Sequence, residues 1–445
     1  MASDLLSIAA SGAKAARLAL DVTAQNIANA SSEGYVRRSI RLDELASSGG
    51  IGQIGDVSLS GVRLGSVVRN ADMFRQAEVR RTGADAARGQ AEVAGLENIQ
   101  TAVEQSNVYP SIVKFEASLQ QLASDPVDPS LRSSVIEAAR TVTRTMNIAS
   151  TSLDAAGTGM RFEAADGVSQ VNQIAAELAR VNLRLARASD ASSDQTALLD
   201  QRDMLLERMS KYADVSTTIA ADHTVEVRLG GTSGPAIVTG GTSDTLTMTT
   251  AANGTITFAV GASAAAISGG ELAGKAQALI KLDDVRNRLN TVAANLISTV
   301  NTAQANGVDL DGIAGTSLFS GTDAATIGLN FEDGRKITTA PAGAGANSRD
   351  ASNLTALRNS LATTDPAGAM DAVIFDISGT VAGRTVTRDA LDTIAGNARI
   401  ALSAQAGVNL DQEAANLIRY QQAFQASGKA IQVASNIFDT LIALR

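Results

Sequence analysis

The sequence predicts a mainly α, elongated, multidomain protein with a small β insert, its N- and C-terminal helices paired as a coiled coil beside a helical-bundle middle domain. Three observations predict it. Apolar residues recur at alternating steps of four and three at both ends of the 445-residue chain. The helical period also runs through most of the interior. Between Val215 and Ile267 the composition turns to Thr, Gly, Val and Ala with alternating apolar positions.

At the C-terminus, Leu410, Ala414, Leu417, Gln421, Phe424, Gly428, Ile431, Ser435, Phe438 and Ile442 keep one helical face. A second row, Ala430, Ala434, Ile437, Leu441 and Leu444, widens that face beyond what one partner helix could cover. Phe424, Ile431 and Phe438 are the expected knobs. At the N-terminus, Leu6, Ala9, Ala13, Ala16, Leu20, Thr23 and Ile27 repeat the spacing with small residues that let helices approach closely, and Leu20 and Ile27 are the knobs there. Asp4 and Asp21 balance Lys14 and Arg17. This segment has neither the compact apolar run and cleavage site of a secretory signal nor the length of a spanning helix, so the general export route is not expected. Ordering helices this long costs more backbone entropy than one stripe offsets, so the termini are expected to fold fully only among neighbouring copies.

After the first helix, Asn29 to Tyr35 is a stop signal rich in turn formers. Val57, Leu59, Val62, Leu64 and Val67, punctuated by Gly61 and Gly65, read as a short hairpin near 55–69. Helix follows from Ala71 to Ala123, broken at Pro110, and a turn at 125–129 leads to Ser130 as an N-cap. From Leu131 to Tyr212 the chain reads as helices interrupted by Gly157, Gly159 and the loop from Ser189 to Asp194. In this stretch Val171, Ile174, Leu178, Val181 and Leu185 share one face. The β insert spans 215–267, helix resumes over 271–305, and 307–387 reads as a loop-rich lobe before the last helices. The domain division is therefore 1–45 with 405–445 as the terminal coiled coil, 46–214 with 268–404 as the helical middle, and 215–267 as the outer insert.

A net charge of −9 and a pI near 4.9 leave no basic stripe for phosphates, which argues against nucleic acid as a partner. Aromatic content of 3% confines the cores to aliphatic side chains in thin helical layers. With no Cys there is no disulfide or thiolate chemistry, and the single His removes most imidazole chemistry.

Several patterns touch on catalytic or binding motifs. Gly269-Gly270-Glu271-Leu272-Ala273-Gly274-Lys275 has the glycines and lysine of a phosphate loop, but Ala276 stands where a hydroxyl should hold magnesium, so a turn opening the next helix is the better reading. Asp309-Leu310-Asp311-Gly312 starts like a calcium loop but lacks the third acid and the closing Glu. His223 beside Asp222 has no nucleophile tied to it. Asp200 with Asp203, and Asp283 with Asp284, read as solvated helix charges or pairs with Arg in the same helix. No catalytic, cofactor or metal site assembles from these residues.

The residues at both ends resemble a known family, the axial proteins of the bacterial flagellum, which comprise rod, hook and hook-associated proteins. Leu20, Ala24, Gln25, Asn26, Ile27, Ala28, Asn29, Ala30, Gly34 and Tyr35 look like its N-terminal signature. Gly61, Val62, Leu64, Val68, Arg69, Asp72 and Phe74 resemble the hairpin and helix start that follow. Gly407 to Asp411, with Glu413, Ala414, Leu417, Gln421, Gln422, Phe424, Ala426, Ser427 and Phe438, look like its C-terminal signature. Leu198 to Asp203 with Leu205, Leu206 and Ser210, and the stretch from Gly274 to Phe319, are similar to the hook-associated branch that forms the junction between hook and filament. Glu33 departs from the Pro usual before the Gly-Tyr pair, and the chain is short for a junction protein.

The resemblance implies a structural subunit without enzymatic activity or cofactor, working in motility outside the cell after unfolded passage through the flagellar type III apparatus. Its implied partners are copies of itself in a ring, hook protein below, a second junction protein (hook-associated protein 3) above and an export chaperone, with no membrane or nucleic acid. The residues expected to carry assembly and core packing are Leu5, Leu6, Leu20, Asn26, Ile27, Asn29, Gly34, Tyr35, Asn409, Asp411, Leu417, Phe424, Ile431, Phe438 and Leu441. A hook or distal rod subunit is the alternative and would need a middle made mostly of strands. A secreted carboxylate-dependent hydrolase is the remote one and would need a pocket with two acids at fixed separation.

Overall fold

The computed structural model describes residues 2–32, 34–45, 61–188 and 193–443. Helices α1 (Ala2–Ala28) and α9 (Leu410–Ala443) lie at the two ends of the chain and pack along each other. Between them come β1 (Arg38–Leu45) and β2 (Gly61–Arg69), then α2 (Met73–Glu104), α3 (Val108–Leu122), α4 (Pro129–Leu185) and α5 (Ser193–Tyr212). Short strands β3 (Val215–Ile219), β4 (Val225–Leu229), β5 (Ala236–Thr239), β6 (Thr242–Ser243), β7 (Leu246–Thr250), β8 (Ile256–Val260) and β9 (Ser263–Ala265) follow, then α6 (Gly270–Ala305), a loop-rich region with the two-residue strands β10 (Gly307–Val308), β11 (Phe319–Ser320), β12 (Gly328–Leu329) and β13 (Ala340–Pro341), and α7 (Ser352–Thr364) and α8 (Pro366–Ala406).

Local chemistry sets the helix starts. Asp72 caps α2 by accepting from the backbone N–H of Phe74 at 2.9 Å and Arg75 at 3.2 Å, and Asp128 caps α4 with Pro129 in its first turn. Asp365, at a φ of 43°, both ends α7 and caps α8. At 57 residues, α4 is about 85 Å long. Val135, Ala139, Val142, Met146, Ala149 and Leu153 along it are fully buried, at the spacing of a coiled-coil seam, against Ile112, Phe115 and Leu119 of α3 and the inner face of α6. Phe115 meets Phe319 edge to face with centroids 5.9 Å apart, one of the few aromatic contacts in an otherwise aliphatic core.

The β insert is two small antiparallel sheets, β3-β4-β5-β6 and β7-β8-β9. Val225, Val227 and Leu229 of β4 (Val225–Leu229) alternate inward, as a half-buried strand should. In the loop-rich region, Arg132 of α4 is 1% exposed and donates to the carbonyls of Pro126, Gly334 and Ile337 at 2.6, 3.0 and 2.8 Å and to Thr339 Oγ1 at 3.1 Å. These oxygens replace water around a guanidinium that burial, seconded by Arg335, makes easier to deprotonate than usual.

Several expectations are corrected. The hairpin is not confined to 55–69: β2 pairs with β1 in the register Arg38↔Arg69, with a bulge at Arg41/Leu42, while Val57 and Leu59 lie outside the described residues. Asn107, in the left-handed region at a φ of 58°, divides α2 from α3, and Pro110 sits harmlessly in the first turn of α3. Asp128, not Ser130, caps α4. Gly157 and Gly159 do not interrupt α4; Gly157 is buried facing Leu282 of α6, and tertiary packing holds it in the helix despite its low propensity. The region 307–387 is loop-rich only as far as Ala351, since α7 and most of the first half of α8 fall within it. Among the described residues no helix is long and apolar enough to cross a membrane.

Candidate functional site

The terminal helices approach through small residues. Ala9, Ala15, Ala16, Ala19, Val22 and Thr23 of α1 are buried, and a Cβ on Gly12 would stand 3.1 Å from Ser427 Oγ of α9. On α9 the positions that are not exposed are Glu413, Asn416, Leu417, Tyr420, Ser427, Ile431 and Ala434, and all but Asn416 fall on heptad steps of four and three. That row shares Leu417 and Ile431 with the stripe read from sequence and is otherwise turned from it by about one residue. Phe424 and Ile437 are 42% exposed, Ile418 56% and Val433 57%; by helical spacing Ile418, Val433 and Ile437 turn away from the row, whereas Phe424 falls on it between Tyr420 and Ser427. Leu20, Ile27 and Asn29 are half-buried, Leu5 and Leu6 remain exposed, as do Asn409 and Asp411, and the side chains of Phe438 and Leu441 lie outside the described residues. Asn409 caps α9, its Oδ1 accepting from the N–H of Gln412 at 3.1 Å.

What fixes the rotation of α9 is a buried polar node at the base of the pair. Asn26, 1% exposed, uses its whole amide: Oδ1 accepts from Tyr35 Oη at 2.8 Å and from the N–H of Arg38 at 3.0 Å, while Nδ2 donates to Arg38 O at 2.8 Å and Glu413 Oε2 at 3.2 Å. Glu413, equally buried, takes the Nε of Arg37 on its other oxygen at 2.8 Å. The N–H of Arg37 reaches Ala406 O at the end of α8, so the turn after α1 is stitched to the start of α9 from both sides. A buried carboxylate satisfied in this way cannot rotate outward without stranding two partners.

The node continues into the helical body through alternating charges. Arg38 lies over the Tyr35 ring at 5.1 Å and donates to Asp200 Oδ2 at 2.9 Å. Arg69 of β2 bridges Asp200 and Asp203 at 2.9 and 2.8 Å, and Arg202 grips Asp203 through two nitrogens at 2.9 and 2.7 Å. Burial raises the pKa of Asp200 despite Arg69 and Arg38. Burial also opposes ionisation of Asp203, but Arg202 and Arg69 together outweigh it and hold that carboxyl below its ordinary value. Burial pushes the Tyr35 hydroxyl up, reinforced by Asp200 and Glu413 and opposed by Arg38.

Of the residues picked from sequence, the node brings together Asn26 and Tyr35, with Gly34 at a φ of 78° making the turn that delivers Tyr35. Sequence reading misses Arg37 and Arg38. For Asp200 and Asp203 it offers solvation or pairing with Arg in the same helix; the structure rules out solvation, keeps the in-helix pair for Asp203 with Arg202, and adds arginines brought by the distant strands β1 and β2. The signal available was the spacing of Arg69 within its matched segment. Beside the node a cavity of about 450 Å³ opens between the 34–36 turn and α2, α5 and α8, with Arg80, Glu207 and Arg399 at its wall.

The other patterns are structural. Gly269 and Gly270 open α6, and Lys275 pairs with Glu163 at 3.1 Å. Asp309 Oδ1 accepts from the N–H of Asp311 and of Ile313, both at 2.9 Å, closing a turn. His223 occupies a turn at a φ of 63°, and Asp284 pairs with Lys281. Among the described residues no three acids or histidines gather in a metal-holding group.

Two chain ends that pair with each other and are tied to a helical body are features of a structural subunit. Comparison with known proteins gives the same class. The model of the flagellar hook-associated protein FlgK helical domain matches residues 93–319, that of the flagella basal body rod protein matches 6–35, and that of the flagellar basal body rod FlgEFG protein C-terminal region matches 403–444. The chain is 23% identical over 488 residues to flagellar hook-associated protein 1 of Bacillus subtilis, covering 96% of this chain and 95% of the relative. It is 24% identical over 562 residues to the protein of that name from Salmonella typhimurium, covering the whole of both. The flagellar hook junction protein FlgK from Burkholderia pseudomallei is a similar solved structure, with a TM-score of 0.49 and 24% identity over 55% of this chain and 46% of that one. The chain belongs to the flagellar hook-associated protein 1 (FlgK) family. It is a structural subunit of the flagellum, and its relatives are structural proteins rather than enzymes.

Proposed function

We propose that this subunit of the hook–filament junction forms a ring of copies at the hook tip, seated on hook protein and offering its other end to a second junction protein, hook-associated protein 3. The single observation that carries the reading is the combination at the termini. The α1–α9 pair is fixed to the helical body by Asn26, Arg37 and Glu413, yet leaves Leu5, Leu6, Ile418, Val433 and Ile437 uncovered on its outer sides. A helix pair anchored at its base and apolar on its flanks is suited to packing against other copies of itself. In this reading residues 1–45 and 405–445 form the inner tube, 46–214 and 268–404 the surrounding helical layer, and 215–267 the outward insert. The assembly residues are those named from sequence, with Glu413, Arg37 and Arg38 added. Passage to the cell exterior through the flagellar export apparatus, with a chaperone on the termini, fits helices that leave apolar flanks exposed until assembly.

The test is deletion of the gene, followed by electron microscopy of the cell surface and an assay of flagellin in the medium. Hooks without filaments, with flagellin lost to the medium, are expected. Loss of the hooks themselves would return the reading to a hook or rod subunit, and intact filaments would overturn the junction reading.

A further inference from the structure

Three arginines are buried among the described residues, and two of them are well satisfied. Arg132 spends its guanidinium on backbone carbonyls and Thr339, and Arg202 grips Asp203 and donates to His223 O at 2.9 Å. Arg80 of α2, 8% exposed, differs. Among the described residues its hydrogen bonding amounts to Nη2 on Thr217 Oγ1 at 3.4 Å, and no carboxylate pairs with it. Burial makes this guanidinium easier to deprotonate than usual, and the nearby charges of Asp203 and Glu207 offset the loss of water only in part. A buried cation whose donors are mostly unspent is a group awaiting a partner.

Arg80 lines the cavity of about 450 Å³ beside the node, a volume in the range of small-ligand pockets. The charges around that cavity do not cancel. Asp203 is already taken by Arg69 and Arg202, which reach it from outside the cavity wall at 2.8 and 2.7 Å. Glu207 stands 3.8 Å from Arg399. Arg80 within and Lys211 at the exposed rim are left without a paired acid among the described residues. Val36, Val79, Met204 and Leu402 add an apolar stretch of wall.

We propose that this cavity binds a carboxylate, with its oxygens on the Arg80 guanidinium, Lys211 closing over it from the rim, and the apolar wall taking the carbon chain that carries it. Charge and shape select this class. Glu207 and Asp203 in the wall oppose a phosphate dianion more than a single negative charge, and an inorganic anion would leave the apolar wall wet. The carboxylate can arrive as an Asp or Glu side chain of a neighbouring chain or as a free organic acid, and the experiment separates the two. The cavity spans the 34–36 turn, α2, α5 and the end of α8, so its occupant braces the joint between the terminal pair and the helical body. The assignment does not need the ring reading, because the purified chain alone can test it.

The full purified chain is titrated with butyrate at constant ionic strength and followed by saturation-transfer NMR, with butyramide as the uncharged isostere and inorganic phosphate as competitor. Butyrate is expected to bind saturably, and butyramide and phosphate at least about tenfold more weakly. Arg80→Met is expected to weaken butyrate at least about tenfold while melting no lower than wild type, because it removes a buried charge that the chain leaves unpaired. Lys211→Met, on the exposed rim, is expected to weaken it several-fold, and it decides the matter should Arg80→Met not fold. Butyrate binding that does not saturate, that butyramide or phosphate equals, or that neither substitution changes overturns the site. Carbodiimide, which joins an amine to a carboxylate in contact, then separates the sources in isolated hook–filament complexes that contain the chain. A product linking Lys211 to an acidic residue of another chain, absent from Lys211→Arg, identifies a protein side chain as the occupant. Links confined to Glu207 of the same chain, beside saturable butyrate binding, identify a free acid.

Discussion

Asn182 of α4 holds Val225 as a neighbouring strand would, donating from Nδ2 to Val225 O at 2.8 Å and accepting the Val225 N–H on Oδ1 at 3.0 Å. Val225 is the first residue of β4, and the device recurs. Asn172 does the same to Leu246, the first residue of β7, at 2.9 and 2.7 Å, and Asn301 to Phe319, the first of β11, at 2.8 and 3.0 Å. Asn26 does it to Arg38, the first residue of β1. A primary amide has a donor and an acceptor at the separation of a backbone peptide, so one helical Asn can hold the first residue of a strand on the edge its partner strand leaves open. In this chain the long helices position the small sheets through single amides.

Replacing Asn182 tests that device. Asn182→Ala leaves Val225 and Gly240 with unpaired buried backbone groups and is expected to cost about 2–4 kcal/mol, at about 1–3 kcal/mol per stranded group with partial relaxation. Asn182→Asp is expected to be worse, because it loses both donated bonds and faces two carbonyl oxygens with a charge. Urea denaturation gives the loss. Hydrogen exchange should show it concentrated in β3 to β6, with α3 and the first half of α4 still protected.

Glu413 is expected to show graded effects. Glu413→Gln keeps one acceptor for Arg37 but loses its charge and turns a second donor toward Nδ2 of Asn26, and is expected to cost roughly 1.5–3 kcal/mol. Glu413→Leu strands both Asn26 and Arg37 and is expected to release α9 from the base of α1. Proteolysis of the purified chain reads this directly, with cleavage near residues 405–412 rising in the order wild type, Gln, Leu. Equal rates in all three would remove the node from the account of how the termini are held.

Asp203 gives the node its pH dependence. Its carboxyl is held below the ordinary aspartate value of 3.8 in the folded chain, so the unfolded chain takes up the proton first. The stability it contributes is complete above that value and is lost as pH falls through the lower folded one. Thermal melts of wild type and Asp203→Asn should therefore differ at neutral pH and converge between about pH 4 and pH 2. Asp200, whose value is raised, has the opposite sign: its favourable contribution belongs to low pH and fades as pH rises through its folded value. Asp200→Asn should therefore be the more stable chain at neutral pH, with that advantage fading on acidification as the wild-type carboxyl takes up its proton.

Which features were legible in the sequence follows from which are local. The long helices announce themselves through periodicity, and α4 was obscured only because Gly157 looks like a breaker when the helix that covers it, α6, lies more than a hundred residues on. The β insert was legible from alternation in β4 and β8. The node was only half legible. Asn26, Gly34 and Tyr35 fall within the one N-terminal signature, whereas Asp200 and Asp203 sit on a helix whose spacing speaks of solvent or of pairing within it, and Arg69 and Arg38 reach Asp200 from 131 and 162 residues away. The rotation of α9 was hidden for a related reason. A hydrophobic stripe ranks Phe424 above Ser427, but a close crossing with α1 selects the smaller residue, and a buried Glu413 counts against the seam in any apolar tally.

Two substitutions separate the inner and outer faces of α9. Ser427→Leu places a branched chain where Gly12 passes within van der Waals contact, so it should part α1 from α9 and lower the stability of the isolated chain by about 1–3 kcal/mol through overpacking. Val433→Asp lies on the side away from the row of Ser427, 57% exposed, and should leave the isolated chain's melting unchanged, yet abolish its incorporation at the hook tip, since an uncompensated charge would enter an apolar contact between copies. Calorimetry of the purified variants and motility on soft agar give the two readouts. A stable, non-motile Val433 variant beside a destabilised Ser427 variant would assign the inner face to pairing within the chain and the outer face to assembly. Normal motility from Val433→Asp would take the outer face of α9 out of the junction.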